Sequence, residues 1–193
     1  MNKIQILNDA LFATGNNPVN VDDGSDEYQV ANNAFERAAR ELLGRHPWLF
    51  AVVTEPLVRV PDTENKSRRF PSNGFRLPPN RVHLKTVFYG NVPLTDYEVQ
   101  GDILSCNYSS DVYAAVVMPT NEERWHPVAI AVLTLMVEAG CLRGLNEDHS
   151  AADRREARAE GMLADARPTV DQQNPGRNYY VSKIALARRT RRK

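Results

Sequence analysis

Four histidines, His46, His83, His126 and His149, are by type the side chains best suited to bind a metal or move a proton near neutral pH. None stands at a metal-binding spacing such as His-Glu-x-x-His or paired Cys-x-x-Cys, so they read as structural or solvated residues. Cys106 and Cys141 lie far apart and make no disulfide framework. Cys106 falls on a predicted strand and Cys141 in an apolar helix, and neither looks activated, so both are expected to be reduced thiols packed as small hydrophobes. Asp22, Asp23, Asp26 and Glu27 lack the spacing of a calcium loop and fit the start of a helix better. There is no Gly-x-Ser-x-Gly elbow and no glycine-rich phosphate loop; the glycines stand alone at element ends. The expectation is a protein that is not an enzyme, with no catalytic centre, no metal and no cofactor.

The charge points elsewhere. The sequence has 24 basic and 24 acidic side chains, but Pro175 to Lys193 holds seven of the basic ones and no acid. The remainder carries 17 basic and 24 acidic side chains, a net of −7. An acidic body with a basic end suggests an end that docks on something negative, either nucleic acid or an acidic protein surface. The candidate docking residues are the anchors Tyr179, Tyr180, Ile184 and Leu186, followed by Arg188, Arg189, Arg191, Arg192 and Lys193. Arg154, Arg155 and Arg158, by contrast, alternate with Asp153, Glu156 and Glu160 and read as a solvated face paired within its own helix.

The elements that position these residues follow from spacing. At 193 residues, 42% apolar and 25% charged, the chain suits one soluble domain with a real core. The longest apolar run, Val128 to Val137, is too short to span a bilayer, and no amino-terminal export signal is present, so no membrane anchor is expected. Apolar residues at helical spacing predict helices at 3–15, 25–44, 126–143 and 147–166. Ser25 is placed to cap the second, Gly144 to stop the third, Asn146 to cap the fourth and Pro168 to end it. Between 49 and 118 the pattern turns to short β-branched runs broken by turn residues, including Gly90-Asn91 and a hairpin at Gly101-Asp102. Asp62 to Gly74 reads as an exposed loop. The predicted architecture is α+β: a bundle of about four helices at 1–168, a small antiparallel β insertion at 49–118, and an extended basic tail at 169–193. Trp48 and Trp125 are expected to seal the junction between helical and β regions, with Val128, Val132 and Leu135 at the centre of the core.

The order of elements, the opening ILNDALFATGNNPVNVDDGSDEYQVANNAFERAARELLGRHPWLFA, Phe75-Arg76-Leu77-Pro78 before the strands and Met118-Pro119 before the buried helix resemble the tail tubular protein A family of short-tailed phages. These are adaptors that join a capsid's portal to its tail. The similarity covers about the first 165 residues. It implies a homo-oligomeric, dodecameric ring under the portal protein, with genomic DNA passing through the lumen. It also implies a tail nozzle partner resembling tail tubular protein B, and a place at the head–tail junction of the virion after assembly in the host cytoplasm. In such adaptors the helical part and the carboxyl-terminal tail meet the portal and the β part faces the nozzle. A closed ring needs two different surfaces per subunit, and an acidic body would not trap passing phosphates.

Two other readings compete. A DNA-binding protein would use the Arg188–Lys193 run as an electrostatic clamp. A small hydrolase would need two carboxylates brought together by the fold.

Overall fold

The computed structural model describes residues 1–21 and 24–172, the last six as backbone only. The fold is α+β, with four α-helices and two four-stranded antiparallel sheets among the described residues. The expected extended tail lies outside the described residues.

Helix α1 spans Lys3–Ala13 and opens with a capping box in which the Asn2 side chain accepts from Gln5 N and the Gln5 side chain accepts from Asn2 N. Helix α2 spans Asp26–Arg45; Ser25 Oγ accepts from Tyr28 N at 3.1 Å, and Asp26 and Glu27 occupy the positive end of its dipole. Helix α3 spans Pro127–Gly144, with proline at its first position, where no donor is lost, and His126 Nδ1 accepting from Val128 N at 3.3 Å. Helix α4 spans His149–Gln172.

Helix α3 is the centre of the helical part and packs against α1, α2 and α4. Its 18 residues are long and apolar enough in mean hydropathy to cross a membrane, and the three helices around it account for that apolarity. Val132, Leu133, Leu135, Val137 and Ala139 are buried. Val128 is only half-buried, so it is not at the centre expected for it. It lies in the first turn, beside the fully buried Ala129, on a side of α3 that its neighbours cover only in part.

Several local expectations are corrected. Asn146 does not cap α4: Asp148 Oδ1 accepts from Ala151 N at 2.8 Å, while Asn146 Nδ2 donates to Thr14 O and ties the end of α1 to the α3–α4 turn. Helix α3 does end at Gly144, but Glu147, not the glycine, adopts the left-handed backbone (φ 54°) of that turn. Helix α4 runs past Pro168 to Gln172; a proline removes one donor near the end of a long helix, and that loss does not stop the chain there.

The antiparallel insertion consists of two sheets. Strands β1 (Val52–Pro56), β8 (Val112–Val117), β4 (His83–Tyr89) and β5 (Val92–Leu94) form the first, in that order. Strands β2 (Val58–Arg59), β3 (Gly74–Arg76), β7 (Ile103–Cys106) and β6 (Tyr97–Gln100) form the second. Val87, Val112, Ala114 and Val116 of the first share one buried cluster with Phe75, Leu104 and Cys106 of the second. Two-residue loops join β4 to β5 and β6 to β7, each opening with a glycine at positive φ, Gly90 (54°) and Gly101 (60°), where a side chain would be strained. The 62–74 stretch is not simply an exposed loop, because Ser67 and Phe70 within it are buried.

Candidate functional site

An aromatic ladder, three of its rings from one sequence run, lies in the helical core, which also takes in Val117 of β8. His46, Trp48 and Phe50 alternate along a segment that leaves α2 in extended backbone and ends in a 3-10 turn, Leu49–Ala51. His46 meets Trp48 edge-on at 4.9 Å between ring centroids. Trp48 stacks on Phe50 at 5.7 Å, and Phe50 on Trp125 at 5.2 Å. The indole donors are satisfied: Trp48 Nε1 donates to Leu42 O at 2.8 Å and Trp125 Nε1 to Thr120 Oγ1 at 3.1 Å. Trp48 and Trp125 therefore meet through Phe50, which sequence reasoning did not single out; its signal was the i, i+2, i+4 spacing from His46. Backbone bonds complete the joint, with Met118 N donating to Ala51 O and Val82 N to Val117 O. Val132 and Leu135 belong to the helical core on the same side.

The groups that could carry chemistry are dispersed. His46 is in the ladder, His83 on β4, His126 at the start of α3 and His149 at the start of α4. Among the described residues, no three histidine, cysteine or acidic side chains converge on a point that could hold a metal. Cys106 and Cys141 are buried free thiols. Burial raises both, Cys141 to about 11 with the nearby Glu138 adding to the shift, so neither is a thiolate at neutral pH.

The carboxylates Asp153, Glu156 and Glu160 of α4 and Glu138 of α3 are engaged by arginines from other helices. A groove of about 760 Å³ between α2, α3 and α4 contains Glu41, Asp153, Glu156 and Glu160. Arg143 of α3 pairs with Glu156 and, at 2.7 Å, with Asp153; Arg45 of α2 pairs with Glu41 and Glu160. Hydrogen bonds from Arg143 hold the Glu156 carboxyl below the usual range, so this groove offers an ionised clamp and not a proton donor. Glu138 on α3 is different. It is 7% exposed, Arg155 Nε of α4 lies 3.0 Å from its Oε2, and burial pushes its carboxyl up against the pull of Arg155 and Arg158. The charges of α4 thus tie helices together across the bundle, where the sequence pattern had suggested pairing within α4. Partners along one helix and partners across a groove leave the same alternating pattern.

Surface apolarity occurs in both parts of the molecule. On the helical side Phe12 is 82% exposed and Val21 projects from the α1–α2 connection; on the β side Val58 is 74% and Val92 64% exposed. Tyr89 and Tyr108 stack on each other at 3.9 Å on the surface of the β part. The candidate docking residues Tyr179, Tyr180, Ile184, Leu186, Arg188, Arg189, Arg191, Arg192 and Lys193 lie outside the described residues. The chain matches no family model and no curated protein.

Proposed function

We propose that this chain is a structural subunit of a head-to-tail connector ring, an adaptor between a portal protein and a tail nozzle, with genomic DNA passing through the ring. Its role is mechanical rather than catalytic. The observation that carries the reading is the pairing of two separate cores with exposed apolar side chains on each, Phe12 on one side and Val58 and Val92 on the other. A ring closes through a heterologous contact, which needs two different surfaces on every subunit. The resemblance to tail tubular protein A adaptors rests on the same order of elements. The basic residues from Arg177 to Lys193 supply a segment suited to an acidic partner surface, with Tyr179, Tyr180, Ile184 and Leu186 as contact area.

The test is mass and electron microscopy of the purified chain, alone and with the portal of the same particle, before and after deletion of Val181 to Lys193. The expected result is a ring that joins DNA-filled heads when full-length, and a folded but unattached protein when truncated. A monomer that never associates with a portal overturns the reading. Steeply salt-dependent binding of duplex DNA without any ring would favour the DNA-clamp reading instead.

A further inference from the structure

We propose that the free edge of β6, with the basic turn beside it, is a docking site for an extended acidic segment of a partner protein, taken up as an added strand of the second sheet. The two sheets have four edges, β1 and β5 in the first and β2 and β6 in the second. An open edge presents unpaired backbone groups, and proteins blunt such edges with proline, charge or short length. Strand β1 carries Pro56 and β5 carries Pro93. Strand β2 has two residues, with Pro61 shortly after. Strand β6, Tyr97-Glu98-Val99-Gln100, has no proline, its one charge, Glu98, is taken up by Ser67 and Gln100, and it is paired only on its β7 side.

The register identifies the groups on offer. Gln100 and Ile103 flank the two-residue Gly101-Asp102 loop, so they exchange hydrogen bonds across the hairpin, and the alternation gives Glu98 and Ser105 the same role. The N–H and C=O groups of Tyr97 and Val99 then point away from β7. Val99 is 41% exposed.

Beside this edge the 65–70 turn is fastened to the outer face of the second sheet. Asn65 Nδ2 donates to Phe70 O at 2.6 Å, and Asn65 Oδ1 accepts from Ser67 N and from Ser105 Oγ of β7. Ser67 Oγ donates to Glu98 Oε2 of β6 at 2.5 Å, and Phe70 is buried. The absence of a side chain at Gly74 permits the approach, because a Cβ there would lie 2.8 Å from Val60 Cγ2 and 3.0 Å from Asn65 Cβ. With Ser67 and Phe70 turned in, Lys66, Arg68 and Arg69 are displayed around Tyr97 and Gln100, lining a groove of about 450 Å³. Asp96 engages Arg69 at 2.5 Å, and Glu98 is occupied by Ser67 and Gln100. Among the described residues no ion pair holds Lys66 or Arg68. A strand added to β6 would place alternate side chains beside those cations and the others beside Val99. That arrangement selects a segment alternating acidic and apolar residues: main-chain bonds supply affinity, and side chains supply specificity.

The probe is a fluorescein-labelled eight-residue peptide of alternating valine and glutamate, titrated into the full chain at low ionic strength and followed by anisotropy. We expect saturable binding that weakens as salt rises, slowed amide exchange at Tyr97 and Val99, and no binding of a valine–lysine peptide. Val99→Pro removes an outward N–H without touching the β6–β7 ladder and should weaken binding roughly tenfold. Lys66→Glu with Arg68→Glu, at exposed positions, should abolish it, with circular dichroism showing both variants folded. No binding, equal binding of the lysine peptide, or affinity unchanged in both variants overturns the proposal. Self-association lost in Val99→Pro would assign the edge to a second copy and also overturn it. The proposal does not depend on ring formation, which is read by mass and not by this peptide.

Discussion

Glu138 and Glu156 both face arginines across the bundle, yet their carboxyls are pushed in opposite directions. At Glu156, near the surface, hydrogen bonds from Arg143 outweigh desolvation and the value falls. At Glu138, buried on α3, desolvation outweighs Arg155 and Arg158 and the value rises. A lowered folded value means that the Glu156 contribution is fully present above the unfolded glutamate value of about 4.3. It is lost as pH falls through the folded value. The sign is reversed for Glu138, whose ionised form costs stability that is recovered as pH falls through its raised value. We therefore expect Glu156→Gln to lower the melting temperature at neutral pH, with the gap to the parent protein closing as pH falls below the ordinary glutamate range. Melting curves across that range check it; a gap that persists in acid would place the effect in packing instead of charge.

At the scale of elements, the closest packing in the bundle is set by a glycine that the sequence pattern did not mark. Gly140 lies within α3, and a Cβ there would stand 2.4 Å from Ala34 Cβ on α2; at Gly144 the same addition would meet Val30 Cγ1 at 2.5 Å. Gly161 lies within α4, is exposed, and has nothing within 4 Å of a built Cβ. The same substitution should thus act with opposite sign on two helices. Gly140→Ala forces α2 and α3 apart and should destabilise by about 1–3 kcal/mol, even after the helix-propensity gain. Gly161→Ala should stabilise by about 0.5–1 kcal/mol. Urea unfolding of the two variants beside the parent decides the matter. Glycine was read as a helix terminator because sequence alone carries no information about what lies opposite a helix face.

At the scale of the whole molecule, two cores depend on one joint. The two buried clusters meet along β8, whose Val117 lies in the helical one and whose Val112, Ala114 and Val116 lie in the sheet one; the Trp48–Phe50–Trp125 stack packs on the helical side of this joint, and Met118 N donates to Ala51 O beside it. Trp48→Ala would open a void in the helical core beside that joint and should cost about 3–5 kcal/mol. It leaves Trp125 as the sole tryptophan, a reporter at the junction. In that variant we expect the fluorescence transition to precede loss of helical circular dichroism on heating. Coincident transitions would mean that the two parts remain coupled without the ladder.

Periodicity alone determined the α+β class, the four helices and their starts, and the insertion of strands between α2 and α3. These are local consequences of side-chain spacing, caps and turn residues: Ser25 before α2, Pro127 opening α3, and glycine at each two-residue hairpin loop. Tertiary structure alone decided that the strands divide into two sheets, that Phe50 links the tryptophans, and that the arginines of α3 and α4 reach across helices. It also decided that the 65–70 turn is pinned to β6 and β7, and that three of four sheet edges are blunted while one is not. Each of these depends on which segments face each other through space, and contact between residues such as Asn65 and Ser105 leaves no trace in the spacing of either run.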